Sequence, residues 1–120
     1  MQLYFDGLYH SDVERLAKVF DPAARYVCAT EAPMVNLGMD AYLPIVAKRP
    51  APASRNEPRR DRIASIALAG PNTALVTAHC AIGERYFTDF LNFIRTADGW
   101  RIIAKVFHYD IVAPTAAKKD

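Results

Sequence analysis

An aspartate and a histidine in the C-terminal third of the chain, Asp89 and His108, are the residues whose types best suit acid–base chemistry. Both lie in segments where aromatic and β-branched residues alternate, a pattern typical of β-strands. If these strands pair so that the two residues face each other, a carboxylate and an imidazole can share a proton on an apolar face. Such a pair can act as general base and general acid on a small carbonyl compound. The plainer interpretation is a structural ion pair or hydrogen bond.

Whether the two side chains meet depends on the turn between their strands. A two-residue turn at Asp98-Gly99 places Asp89 opposite His108, and Asp-Gly is a strong signal for such a turn. Alternatively, residues 96–99 form a type I turn with a glycine bulge, which shifts the pairing by one residue and brings Thr88 beside His108. We prefer the two-residue turn because it gives the more apolar face.

A second two-residue turn is predicted at Gly83-Glu84, where a leading glycine suits type II′ geometry. This turn places Cys80 opposite Phe87. With both turns in place, one face of the sheet is almost entirely apolar, and we expect it to line a cavity for a small hydrophobic or aromatic molecule. Its apolar members are Val76, Ala78, Cys80, Ile82, Phe87, Leu91, Phe93, Trp100, Ile102, Ala104 and Val106.

The opposite face is too aromatic for an ordinary solvent-facing surface, so we expect it to pack on a second copy of the chain. The pattern assigns to this face His79, Tyr86, Phe90, Ile94, Ile103, Lys105, Phe107 and Tyr109, among others.

Three residues are candidates to assist at the cavity, each with a simpler explanation. Tyr26 shares a strand face with Cys28 and is predicted to place its hydroxyl in the cavity, although a core tyrosine is the commoner case. Asp40 is a candidate base at the cavity mouth, or only the cap of a helix. Cys80 has no base nearby in the sequence pattern, which favours an inert buried thiol over a nucleophile.

Helices come first in the chain and long strands follow, the order expected of an α+β fold. Asp21-Pro22 ends the second helix, and Pro52 and Pro58 mark a loop before the strands. The predicted helices are Leu3–His10, Val13–Phe20 and Ala41–Lys48, and the predicted strands are Arg25–Thr30, Arg60–Ala69, Thr73–Ile82, Arg85–Ala97 and Trp100–Val112. Pro33–Gly38 is predicted as a further short strand or a turn.

Composition narrows the function classes. The 120 residues suffice for one domain, predicted over residues 1–113 with a tail at 114–120. A net charge of +2 argues against nucleic-acid binding, and no apolar run is long enough to span a membrane. The N-terminal residues lack a secretory pattern, which predicts a cytoplasmic protein with reduced thiols. The histidines and cysteines have no metal-ligand spacing, so we expect neither a metal nor a cofactor.

Two stretches resemble the nuclear transport factor 2-like superfamily, in particular its bacterial "putative lumazine-binding" and SnoaL-like branches. They are YFDGLYHSDVERLAKVFDPAARYV near the start and RYFTDFLNFIRTADGWRIIAKVFHYD near the end. The resemblance implies a cone-shaped α+β barrel, in which N-terminal helices close a curved, mostly antiparallel sheet around a pocket. It also implies a homodimer packed through the outer sheet face.

The superfamily includes ketosteroid isomerases, polyketide cyclases, dehydratases and non-enzymatic modules, so the fold alone leaves the function open. An isomerase-type pocket requires an oxyanion pair beside a carboxylate base, for which Tyr26, Asp40 and Asp89 are the candidates. We therefore expect a small-molecule-binding protein with cofactor-independent acid–base activity at Asp89 and His108. The alternative is a non-catalytic dimerisation or binding module of the same fold.

Overall fold

The structure, a computed structural model, describes residues 1–112. Residue 113 and the predicted tail at 114–120 lie outside the described residues. The elements in chain order are α1 (Gln2–Tyr9), α2 (Val13–Val19), β1 (Phe20–Cys28), β2 (Val35–Gly38), α3 (Met39–Lys48), a 3₁₀ turn (Pro52–Arg55), β3 (Arg62–Leu68), β4 (Thr73–Ile82), β5 (Arg85–Thr96) and β6 (Gly99–Ile111).

The predicted α+β class is confirmed. Six strands form one curved sheet in the order β2-β1-β6-β5-β4-β3, and β1 runs parallel to β6 while every other pair is antiparallel. The sheet is open, with β2 and β3 at its edges, and the helices pack against it to complete the cone. None of the helices in residues 1–112 is long and apolar enough to cross a membrane.

The helices α1 and α2 form a tight pair on the sheet. Asp12 caps α2 by accepting hydrogen bonds from the backbone N–H groups of Glu14 and Arg15. Gly7 lies against the buried side chain of Leu16, and a β-carbon at residue 7 would be 2.6 Å from Leu16 Cδ2. This close approach fixes α1, which carries the buried Tyr4 into the interior.

Strand β1 begins five residues before the predicted strand. Residues Asp21 and Pro22 end α2 as expected, but they belong to β1 itself, which pairs with β6 from Phe20 onward. Pairing is interrupted between Phe20 and Arg25, and this irregularity accommodates a proline that has no N–H to donate.

The predicted pairing of β4 and β5 is confirmed. Gly83-Glu84 forms a two-residue turn, so that Cys80 pairs with Phe87 and Ala78 pairs with Asp89. The apolar side of this hairpin is buried as expected, because Val76, Ala78, Cys80, Phe87, Asp89 and Leu91 all face the core.

The predicted pairing of β5 and β6 is wrong. The turn consists of Ala97-Asp98, and Gly99 follows it at φ +105°, a value that favours glycine. Phe93 then pairs with Ile102, but Asn92 pairs with Ala104. One extra residue, Ile103, is therefore inserted in β6 as a β-bulge.

The bulge exchanges the two faces of β6 beyond Ile102. Lys105, Phe107 and Tyr109 are buried, whereas Val106 and His108 are exposed, the reverse of the predicted assignment. Thr88 pairs with His108, as in the alternative register, and Asp89 pairs with Phe107. A shift of one residue has this effect because successive strand side chains point to opposite faces.

Substituting Gly7→Ala should destabilise the fold, because the added methyl group collides with Leu16 where α1 and α2 touch. We expect a loss of about 1–2 kcal/mol in the free energy of unfolding, measured by urea denaturation, even though alanine favours helix formation. The exposed Lys18→Ala substitution on α2 is the control and should change stability by less than about 0.5 kcal/mol. A Gly7→Ala variant as stable as wild type would contradict this account, because it would show that α1 and α2 can move apart without loss of stability.

Candidate functional site

The interior contains two charged side chains of opposite sign, Asp89 from β5 and Lys105 from β6. They are the buried charged residues of the described chain, with exposed fractions of 0% and 3%. Lys105 pairs with Leu91 across the strands, so it lies diagonally across from Asp89 on the same face. The site is therefore built on two adjacent central strands, downstream of the bulge.

Asp89 is held through one of its two oxygens. The hydroxyl of Tyr4, from α1, donates to Asp89 Oδ2 at 2.5 Å, and Cys80 Sγ lies 4.0 Å from the same oxygen. Asp89 Oδ1 is buried and has no hydrogen-bond partner within residues 1–112. Burial and the negative charge of Asp89 hold the pKa of Tyr4 well above its usual value, so Tyr4 remains a donor. One carboxylate oxygen is fixed and the other is available.

Lys105 lies in a cage of aromatic rings. Its Nζ is 4.9–6.0 Å from five ring centroids, those of Tyr4, Tyr26, Tyr42, Phe87 and Phe107. Ring faces attract a cation at these distances, more strongly where water is excluded. Burial is the largest influence and lowers the pKa of Lys105, but Asp89 together with Tyr42, Tyr26 and Cys80 outweighs burial and leaves that pKa above its ordinary value. The group is therefore an ammonium ion at neutral pH.

A further hydroxyl is unpaired at the cage. Tyr42, from α3, is almost fully buried, and its OH has no hydrogen-bond partner in the described part of the chain. Its ring stacks on Tyr26 with 4.1 Å between centroids. The interior thus holds an acceptor, Asp89 Oδ1, and a donor, Tyr42 OH, whose hydrogen-bonding capacity is unused.

Two pockets formed by residues 1–112 reach the aromatic cage from outside. One, of about 350 Å³, is lined by Tyr26 and Phe107 together with Tyr109 and Arg85. The other, of about 430 Å³, is lined by Phe87 and three arginines, Arg49, Arg55 and Arg85. Neither Asp89 nor Lys105 lines these pockets, because the cage rings separate them from the charged pair.

His108 lies outside this site, contrary to our prediction. Its side chain is 57% exposed, with Nδ1 at 2.9 Å from Thr30 Oγ1 and Nε2 at 2.9 Å from Asp110 Oδ1. The bulge at Ile103 turns His108 to the outer face and brings Phe107 opposite Asp89 instead. The predicted Asp89–His108 pair therefore does not form.

The other predicted site residues divide into two groups. Asp40 and Trp100 lie outside the interior: Asp40 is exposed in the first turn of α3, whose N-cap is Gly38, and Trp100 is 39% exposed at the turn end of β6. The core ends at the Phe93–Ile102 pair, two pairs from the Arg95–Trp100 pair. Tyr26, Cys80, Phe87 and Phe93 are inside, Tyr26 being partly exposed towards a pocket.

Cys80 is an inert thiol, as the sequence favours. Burial and the nearby charge of Asp89 raise the pKa of Cys80 to about 12, so the thiolate is absent at neutral pH. Within residues 1–112, no group of three or more His, Cys, Asp or Glu side chains could hold a metal ion.

Sequence reasoning missed Lys105, Tyr4 and Tyr42. The signal for Lys105 was the run Ile102–Ile103–Ala104, where three apolar residues in succession interrupt the alternation of a strand and mark a place for a bulge. After that run, Phe107 and Tyr109 alternate onto the same strand face as Lys105, and His108 falls on the opposite face.

The buried pair should show strong energetic coupling. Lys105→Met leaves Asp89 without a neighbouring cation, and Asp89→Asn leaves Lys105 without an anion, so each should cost about 3 kcal/mol in the free energy of unfolding. The double variant should lose at least about 1 kcal/mol less than the sum of the two single losses. Additive losses, measured by urea denaturation, would contradict this account.

The same pair gives a pH dependence of defined sign. The pKa of Lys105 is raised in the folded state. The contribution of its charge to the free energy of unfolding is therefore fully present below the pKa of the unfolded chain, about 10.5. This contribution is lost as the pH rises through the higher pKa of the folded state. The stability difference between wild type and Lys105→Met should therefore be constant from neutral pH to about 10 and shrink above about 10.5. A difference that falls already below pH 9 would contradict the assignment.

Comparison with known proteins identifies relatives of the same architecture. A sequence model of the family described as "Putative lumazine-binding" matches residues 1–108. A search of curated proteins finds no match. Among solved structures, an NTF-2 like protein of unknown function from Silicibacter pomeroyi DSS-3 superimposes with a TM-score of 0.80 at 22% identity, covering 91% of this chain and 88% of that one.

Two other solved structures are similar. An NTF2-like protein of unknown function from Shewanella baltica OS155 has a TM-score of 0.78 at 18% identity, over 91% of this chain and 86% of that one. A cystatin-like fold protein from Burkholderia xenovorans LB400 has a TM-score of 0.68 at 21% identity, over 94% of this chain and 87% of that one. The chain therefore belongs to the "Putative lumazine-binding" family and has the fold of the nuclear transport factor 2-like superfamily.

Proposed function

We propose that the chain binds a small hydrophobic or aromatic molecule at the aromatic cage and acts on it by cofactor-independent acid–base chemistry. The observation that carries this proposal is the unused hydrogen-bonding capacity beside Lys105: Asp89 Oδ1 accepts nothing and Tyr42 OH donates to nothing within residues 1–112. Buried polar groups of native proteins are nearly always paired, so unpaired ones are expected where a ligand completes the site. The family description names lumazine, a flat bicyclic molecule, which fits this ligand class.

The proposed chemistry assigns a role to each group. Asp89 Oδ1 removes a proton from the carbon next to a carbonyl group, while Tyr4 holds Oδ2 in place. The carbonyl oxygen gains negative charge, which the Lys105 ammonium and the Tyr42 hydroxyl stabilise. Return of the proton to another carbon gives isomerisation, loss of a β-hydroxide with that proton gives dehydration, and attack on a second carbonyl gives cyclisation.

Entry of the ligand involves the rings between the pockets and the charged pair. Tyr26 and Phe107 each contact a pocket on one side and the Lys105 cage on the other. We propose that these rings turn aside and stack on the ligand, which exchanges ring–ring contacts for ring–ligand contacts of similar strength. The closed cage then keeps water from Asp89 when no ligand is bound.

Deuterium exchange tests the proposed chemistry without knowledge of the natural substrate. The protein should accelerate exchange of the α-protons of α-tetralone, an enolisable aromatic ketone, with D₂O, as followed by proton NMR. Asp89→Asn should reduce the accelerated rate by about 100-fold or more, because asparagine cannot accept the proton. His108→Gln is the control and should leave the rate unchanged.

Either of two results would contradict the proposal. Exchange that depends on His108 and not on Asp89 would place the chemistry on the outer face. Binding of α-tetralone or lumazine, detected as chemical-shift changes at Tyr26 and Phe107, without any accelerated exchange would leave ligand binding as the function and remove the catalytic role.

A second candidate, a dimerisation module, is favoured by the apolar outer face. Leu75, Phe90 and Val106 are neighbours on adjacent strands there, and Phe90 is 51% exposed. We infer that two copies pack through this face, since exposed apolar patches of this kind mark interaction surfaces. This association is compatible with a ligand site on the opposite face of the same sheet.

Phe90→Arg should convert the dimer to a monomer, because it puts a charge at the centre of the apolar patch. The mass should be measured by light scattering after gel filtration. Ile45→Arg is the matched control, since Ile45 is equally exposed, at 50%, but lies on α3. A wild-type monomer, or a dimer unaffected by Phe90→Arg, would refute this interface.

A further inference from the structure

We propose that the molecule bound by this chain carries an oxyanion, a carboxylate or phosphate group, and that the buried edge of the Arg49 guanidinium binds it. This inference rests on the proposed function and specifies its ligand class. It arises from an arginine that the acid–base chemistry does not use.

Arg49 presents a fork of donors to the protein interior. It is the C-cap residue of α3, and its backbone N–H is bonded to the carbonyls of Ile45 and Val46. Its Nε and Nη2 atoms are both buried, and neither has a hydrogen-bond partner within residues 1–112. These two nitrogens form one edge of the guanidinium plane, the edge that binds a carboxylate or phosphate through two parallel hydrogen bonds.

Leaving this edge unpaired is costly, which is why it points to a ligand. A buried donor on a charged group loses its hydration and gains nothing in return. Arg59 shows the ordinary solution in the same protein, because its guanidinium contacts both Asp6 and Asp61. Arg49 has no such carboxylate among the described residues, so an acceptor from a bound molecule is the missing partner.

The charge balance of the interior favours the same conclusion. Asp89 and Lys105 compensate each other, whereas the partly buried Arg49 forms no ion pair with a carboxylate of the described residues. Arg55, Arg85 and one carboxylate, Glu84, line the same 430 Å³ pocket as Arg49, and Arg55 is only loosely paired, at 3.8 Å from Glu57. With three arginines against one glutamate, the pocket lining carries a net positive charge that attracts an anion.

Arg49 also acts electrostatically on the cage. Burial raises the pKa of Tyr26, and the charges of Lys105 and Arg49 oppose that rise. Burial and Asp89 likewise raise the pKa of Cys80, against the same two cations. The cage ring Phe87 and Arg49 also line the same pocket, so a ligand with an aromatic body and one anionic group can contact the cage and Arg49 together.

Three naphthalene probes of the same shape test this inference: 2-naphthoate, 2-naphthyl phosphate and the uncharged 2-naphthamide. We expect at least one anion to bind wild type about tenfold or more tightly than the amide, as measured by fluorescence titration. Arg49→Gln should abolish that preference, and Arg49→Lys should restore part of it, since lysine keeps the charge but loses the fork. The exposed Arg95→Gln substitution is the control and should keep the full preference.

The outcomes separate this inference from the proposed function. Equal binding of all three probes, or a preference that survives Arg49→Gln, overturns the oxyanion site and leaves the ligand pocket intact. Failure of all three probes to bind wild type counts against both. If Arg49→Gln does not fold, the Nε–H resonance of Arg49 in ¹⁵N-labelled wild type decides: it should shift downfield with the bound anion and not with the amide.

Discussion

The burial of one ammonium group constrains the whole interior. Lys105 can remain charged inside the protein only because Asp89 balances its charge and aromatic faces surround it. The five rings come from five different elements, α1, β1, α3, β5 and β6. The packing of α1 and α3 on the sheet is thus linked to the stability of a single charged side chain.

The β-bulge at Ile103 determines which chemistry lies inside the cone. Upstream of it, β6 contributes Ile102 to an apolar core, and downstream it contributes Lys105 and Phe107. If β6 kept the Phe93–Ile102 pairing but had no bulge, Val106 and His108 would be buried and Lys105 would lie in solvent. Bulges disrupt the hydrogen-bond ladder, and they are frequent next to functional sites because they redirect side chains. Here the redirected side chains form the site.

Local sequence signals predicted much of the fold but only part of the site. The bounds of β4, the turn at Gly83-Glu84 and the inward position of Asp89 follow from alternation and turn chemistry, which act over a few residues. The partner of Asp89 did not follow from them, because Tyr4 lies 85 residues away and a contact at that separation leaves no local pattern. Lys105 was assigned to the outer face by the predicted register of β5 and β6, and the bulge at Ile103 reverses that assignment.

The parallel pairing of β1 with β6 has a consequence for the order in which the protein can assemble. As the chain emerges from the ribosome, α1, α2, β1, β2 and α3 are all complete before β6 has been made. Until then β1 lacks one of its two neighbours, and Tyr4, Tyr26 and Tyr42 have no cation to surround. Contacts of such long range slow folding and leave apolar surface exposed meanwhile. Final assembly must therefore wait for the last strand, and until then the N-terminal half exposes the apolar surface that β6 later covers.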